Sequence, residues 1–148
     1  MIEKDIRKQL NMINEAIQIN EDPVTQFASL AHKEWRKTLP PNERNVPRIR
    51  SKNGGPEADI NVSFAKLHPT AQQENLAAGQ AALQAVKQFP NDEDEEKAAE
   101  FIHIQWMRRN PKADYNAAQH LPYNQLPEDE KEKDRVHVRT MKKILGQQ

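Results

Sequence analysis

Cysteine is absent from this 148-residue chain, which excludes disulfides and thiolate metal sites and fits a reducing compartment. Net charge is absent too: 22 Lys and Arg balance 22 Asp and Glu. No global field therefore draws the molecule to nucleic acid or to an anionic membrane. No apolar run approaches membrane-spanning length, and Met1-Ile2-Glu3-Lys4-Asp5 lacks the apolar core of a signal peptide. The expectation is a soluble cytoplasmic protein with no membrane and no nucleic-acid partner. Large apolar side chains are scarce as well, with 36% hydrophobic and 5% aromatic residues against 30% charged. A chain of this length forms one domain and buries roughly two thirds of its unfolded surface. Its helices should pack thinly, with the tryptophans as major core elements.

What the chain does have is a segment that occurs twice. Ala28 with His32-Lys33-Glu34-Trp35 returns as Ala99 with His103-Ile104-Gln105-Trp106, and Pro40 and Pro111 follow at the same distance. Both tryptophans of the chain fall in these copies, so internal duplication is the first architectural expectation. Each half reads as a His-x-x-Trp helix, a proline-containing loop and a second helix. The single domain 1–148 then divides into an N-terminal helix (1–20), a degenerate repeat (22–89) and a sharper repeat (91–146).

Ile2, Ile6, Leu10, Ile13 and Ile17 form one stripe of an amphipathic helix. Asp22-Pro23 supplies a cap and a first-turn proline for the next helix, which should run to Pro40-Pro41. From Pro40 to Lys66 the chain is irregular and basic, carrying Arg44, Arg48, Arg50 and Lys52, and loops of this length are either functional or disordered. Alternation of Ile60, Val62 and Phe64 predicts a short extended piece. Thr70 with Gln73 predicts a capping box opening a helix to about Gln88, slightly weakened by Gly79. The acidic turn Asn91-Asp92-Glu93-Asp94 suits the start of the His103 helix, and Pro127 with Glu128, Asp129 and Glu130 starts the last one. The fold class is all-α, with five helices and almost no strand.

The stretch from Ala98-Ala99 with His103 and Trp106 to Pro122-Tyr123-Asn124-Gln125-Leu126-Pro127, followed by Lys131, Asp134 and Arg135, resembles the ryanodine receptor repeat, or RyR domain. The match is best over roughly residues 95–145. The first half resembles a degenerate copy in which Gln73, Leu76 and Ala77 replace the Lys-x-x-Asp-Arg residues. The chain departs from the family in lacking its Gly-Trp-x-Tyr-Gly loop and in placing Asn110 four residues past Trp106. The resemblance implies two tandem RyR-like helical pairs. It also implies a binding module, tied in free-standing relatives to nucleotide-signalling defence systems, rather than an enzyme.

Two readings of each singled-out residue stand side by side. Trp35 and Trp106 either pack in the core or line a groove and stack on a base. His32 and His103 either hydrogen-bond within the fold or touch a ligand. The charges from Glu128 to Arg135 are either a solvated, salt-bridged helix start or a site in which Lys131 and Arg135 present two cations beside Tyr123. Arg108, Arg109 and the Arg44, Arg48, Arg50 and Lys52 loop offer further cations for an anion. None of the five histidines sits in a metal-ligand pair, and no nucleophile motif accompanies the three serines, so no metal, cofactor or catalytic residue is expected. The expected function is non-enzymatic binding of a small nucleotide-derived ligand, by a signal sensor or a viral sequestering protein. The expected ligand-binding residues are His103, Trp106, Arg108, Arg109, Tyr123, Lys131 and Arg135. The alternative is a protein-interaction or assembly module, with homo-oligomerisation open to either. A concave basic pocket with an aromatic wall between the halves would favour the nucleotide, and a flat apolar patch a protein partner.

Overall fold

The computed structural model describes residues 22–51 and 56–146. Among these residues the α-helices are α1 (Pro23–Lys37), α2 (Pro69–Gln88), α3 (Glu95–Arg109) and α4 (Glu128–Gly146). The fold is all-α, its only sheet among the described residues being a two-residue antiparallel ribbon of β1 (Ile49–Arg50) and β2 (Ala58–Asp59). The expected N-terminal helix lies outside the described residues, as does Lys52.

Local chemistry sets the helix ends. Asp22 accepts the Val24 amide at 3.3 Å ahead of Pro23. The helix stops at Lys37, short of the prolines, because Thr38 turns its amide and hydroxyl back onto the Trp35 carbonyl. The start of α2 corrects the expected Thr70–Gln73 box: the cap is His68, whose Nδ1 accepts the Thr70 amide at 3.2 Å, with Pro69 in the first turn. The extended piece also moves. Phe64 lies in a 3-10 turn, Phe64–Lys66, while the ribbon is formed by residues 49–50 and 58–59. Inside the loop, buried Asn61 gives its amide nitrogen to the carbonyls of Glu43, Arg44 and Val46, and its oxygen accepts from Arg36. A loop with its backbone carbonyls satisfied in this way needs no ladder of strands.

Each half follows one path: helix, loop, a 3-10 turn that ends on a buried leucine, then a second helix. The turns are Phe64–Lys66 before Leu67 and Tyr123–Gln125 before Leu126. Between the halves lies one apolar core drawn from all four helices. It contains Phe27 of α1, Ala82 and Ala85 of α2, Ala98, Ala99 and Ile102 of α3, and Val138, Met141 and Ile144 of α4. Alanines on α2 and α3 let those two helices approach closely, which is how few large side chains suffice. A smaller cluster of Ile60, Leu67 and Ala71 lies under Trp35 in the first half.

Candidate functional site

The paired histidines and tryptophans form equivalent rungs. His32 Nε2 donates to the Val62 carbonyl at 2.7 Å and its ring stacks on Trp35 at 5.5 Å. His103 Nε2 donates to the Leu121 carbonyl at 2.7 Å and stacks on Trp106 at 5.8 Å. A carbonyl only accepts, so both rings carry a proton on Nε2. Each rung ties a helix to the loop strand that leads into the following 3-10 turn. Both histidines are buried, yet both tryptophans are only half-buried, which corrects the expectation that the indoles are major core elements. The core is instead filled by Phe27, Val138 and Met141.

The second-half cations are not available as a free anion site. Arg135 makes a bidentate pair with Glu96, 2.8 and 2.6 Å, and also reaches Glu128 at 3.1 Å and Glu132 at 3.3 Å. The Tyr123 hydroxyl donates to the same Glu96 at 2.7 Å. The Arg135 hydrogen bonds hold the Glu96 carboxyl down to about 2 against partial desolvation. Tyr123 is pushed well above the usual phenol range, by burial first and then by Glu96. Lys131 sits over the Tyr123 ring at 5.6 Å and pairs with Glu128 at 3.5 Å. Arg139 joins Glu95 and Glu132, and Lys142 joins Asp92, so α4 and the acidic start of α3 close along a row of ion pairs. Arg109 reaches Glu74 of α2 at 3.4 Å with its Nε buried and unbonded, while Arg108 is exposed. His103, Trp106, Tyr123, Lys131 and Arg135 are thus brought together, but as a neutralised structural cluster, with Arg108 and Arg109 at the far end of α3.

The cavities lie elsewhere, against the first half. One of about 280 Å³ is walled by Trp35, floored by Leu67 and Ala71, and edged by Glu74, Asn75 and His137. A wider groove of about 670 Å³ runs between α1 and α4, sharing Phe27, Ala31, Trp35 and His137 with the first. The His137 ring meets Phe27 edge-on at 5.2 Å, and burial with the nearby Arg109 charge lowers its pKa. Neither the His137 ring nitrogens nor the Asn75 amide has a hydrogen-bond partner among the described residues. Arg48 lies 5.9 Å from the Trp35 ring centroid. Unlike the second-half arginines other than Arg108, Arg44, Arg48 and Arg50 make no ion pair among the described residues. Arg44 instead donates to the Leu39 carbonyl at 3.1 Å and Arg50 to its neighbour Ile49 at 2.7 Å. The groove between α1 and α4 is concave with an aromatic wall, but its rim mixes Glu34, Asp129 and Glu132 with Lys133 and Lys143 rather than being basic.

Aligning the halves through their turns corrects one correspondence. The His68 carbonyl accepts from Ala71 and Gln72, as the Pro127 carbonyl does from Glu130 and Lys131. Lys131, Asp134 and Arg135 therefore match Gln72, Asn75 and Leu76, one residue earlier than the sequence suggested. Ala71 and Ala78 of the cavity correspond in this alignment to Glu130 and His137, and the His137 ring itself edges the cavity. Glu96, Asn75, His137 and Asn61 were not singled out by sequence reasoning. The long-range hydrogen-bond partners of Asn61 and Glu96 are 15 to 39 residues away, and no spacing rule reaches that far. Asp134 was legible only as part of a motif.

Among the described residues no helix is long and apolar enough to cross a membrane, and no group of three or more metal-ligating side chains converges. Comparison with family models, curated proteins and solved structures returned no match.

Proposed function

We propose that the chain is a non-enzymatic binding module for a small nucleotide-type ligand, seated in the first-half cavity rather than on the second-half cations. The observation that carries this reading is the Trp35 wall, with Arg48 5.9 Å from its ring and the Asn75 amide on the cavity edge, the one without an ion pair and the other without a hydrogen bond among the described residues. A planar base would stack on the indole, the amide and His137 would meet its polar edge, and Arg48 would take a phosphate. The cavity lining contains no hydroxyl nucleophile, and the His32 Nε2 is committed to Val62, which supports binding without catalysis. The resemblance of the second half to ryanodine receptor repeats supports the same class of function. In this reading the second half is the scaffold that holds His137 and α4 against the cavity.

A thermal-shift screen of the full chain across mononucleotides and cyclic dinucleotides tests the proposal, since a ligand at a hundred times its Kd adds about 2.7 kcal/mol. With a hit in hand, calorimetry should show Trp35→Ala and Arg48→Ala each weakening binding by about 1 to 3 kcal/mol. Arg135→Ala should leave the affinity of the folded fraction unchanged. Full affinity in both first-half variants would relocate the site. A screen without any shift would favour the second reading, a protein-interaction module. That reading is supported by the α1–α4 groove, where Val136 is 46% exposed beside Leu30 and Ala31.

A further inference from the structure

The most distinctive buried polar pair lies outside the cavities. His103 of α3, 4% exposed, points its Nδ1 at the Asp134 carboxylate of α4 at 3.7 Å. Because Nε2–H is committed to Leu121, a neutral ring turns a bare lone pair toward that carboxylate. At 3.7 Å, beyond hydrogen-bond reach, a lone pair and a largely buried carboxylate that face each other repel unless the carboxylate is protonated. The corresponding position in the first half, beside His32, is Asn75, whose amide carries its own protons. We propose that Asp134 holds a titratable proton opposite His103 Nδ1, which makes the second half a pH-sensitive clamp on α4 while the first half is not.

The surroundings are consistent with a proton held near neutrality. Burial, then the neighbouring Glu130, raises the Asp134 carboxyl to about 7, while Lys133 opposes. From the turn, Tyr123 faces His103 at 6.5 Å, with Glu96 of α3 paired to Arg135 and Lys131 of α4 over the Tyr123 ring and paired to Glu128. From α3 the neighbour is the Trp106 indole, with His120 beyond it at 6.0 Å. A folded pKa above the unfolded one gives stabilisation that is complete below about pH 4 and lost as pH rises through about 7. His137, whose pKa is lowered, contributes with the opposite sign.

The test is urea unfolding of the full chain at about pH 5 and about pH 8, in the parent and in Asp134→Asn, with the difference between the two chains cancelling His137 and the other histidines. The parent's folding constant should fall roughly ten- to a hundredfold more over that interval than that of the variant, whose amide supplies a fixed proton to Nδ1. Equal pH dependence in both chains would overturn the proposal. Carbon and nitrogen NMR of the parent removes any dependence on the variant's folding. The Asp134 carboxyl carbon should report loss of a proton between about pH 5 and about pH 8, with the Nε2–H tautomer of His103 retained, and a carboxyl already ionised at pH 5 or an Nδ1–H tautomer would overturn it equally.

Discussion

The guanidinium of Arg135 holds Glu96, Glu128 and Glu132 at once, and through Glu96 it positions the Tyr123 hydroxyl. Its work is therefore structural. Arg135→Ala should lower the melting temperature and raise the pH at which acid unfolds the chain. Glu96 is held at about 2, below its ordinary 4.5, so its stabilisation is complete above about pH 4.5 and lost as pH falls through about 2. Without Arg135 that protection disappears, and acid titration followed by circular dichroism reads the shift directly. The half-buried Trp106 gives a second residue-scale expectation. Its ring stacks on His103 and meets His120 at a tilt rather than being enclosed by the core. Trp106→Ala should cost about 1 to 3 kcal/mol in urea unfolding, below the roughly 3 to 5 of a fully buried ring.

At the scale of the helices, Gly79 shows how contact overrides propensity. A Cβ there would stand 2.9 Å from the Val24 carbonyl oxygen and 3.1 Å from the Val24 side chain, so the glycine is where α2 meets the backbone of α1. Helix propensity alone would have Gly79→Ala stabilise by about 1 kcal/mol. Because the obstructing atom is backbone, the two helices must separate, and the variant should instead be destabilised by about 1 to 3 kcal/mol. Equilibrium unfolding decides the sign. Along α3 and α4 the ion-pair row has a different signature: exposed pairs are screened, so stability should fall modestly as salt is raised over the range that shortens the Debye length below about 8 Å.

For the whole molecule, the core is shared by all four helices, and α4 packs on α1 and α2 of the other half as well as on α3. The main core belongs to neither half alone, and only a small satellite cluster lies within the first. The chain should therefore unfold in one transition. Trp35→Phe and Trp106→Phe variants each leave one fluorescent reporter in one half, and the two urea midpoints should coincide after correction for the small stability change of each substitution. Clearly separated midpoints would show the halves to be independent units.

Helix identity, the His-x-x-Trp recurrence and the acidic starts of α3 and α4 were legible in the residues, because they depend on neighbours within a few positions along the chain. Capping by Asp22 with Pro23 belongs to the same local chemistry. The cap at His68 and the ribbon at residues 49–50 and 58–59 were missed because imidazole competed with a better-known box, and because Asn61 organises the loop from afar. Whether a cation is free or spent was not local at all. Lys131, Arg135 and Tyr123 do cluster, but Glu96, 39 residues upstream of Arg135, neutralises them. Conversely, the first-half cavity draws on both halves, with Ala71, Asn75 and Ala78 of α2 and His137 of α4 among its lining. Alternation and spacing specify which face of a helix is apolar; only the packing of one half against the other determines which charges are satisfied and which space stays open.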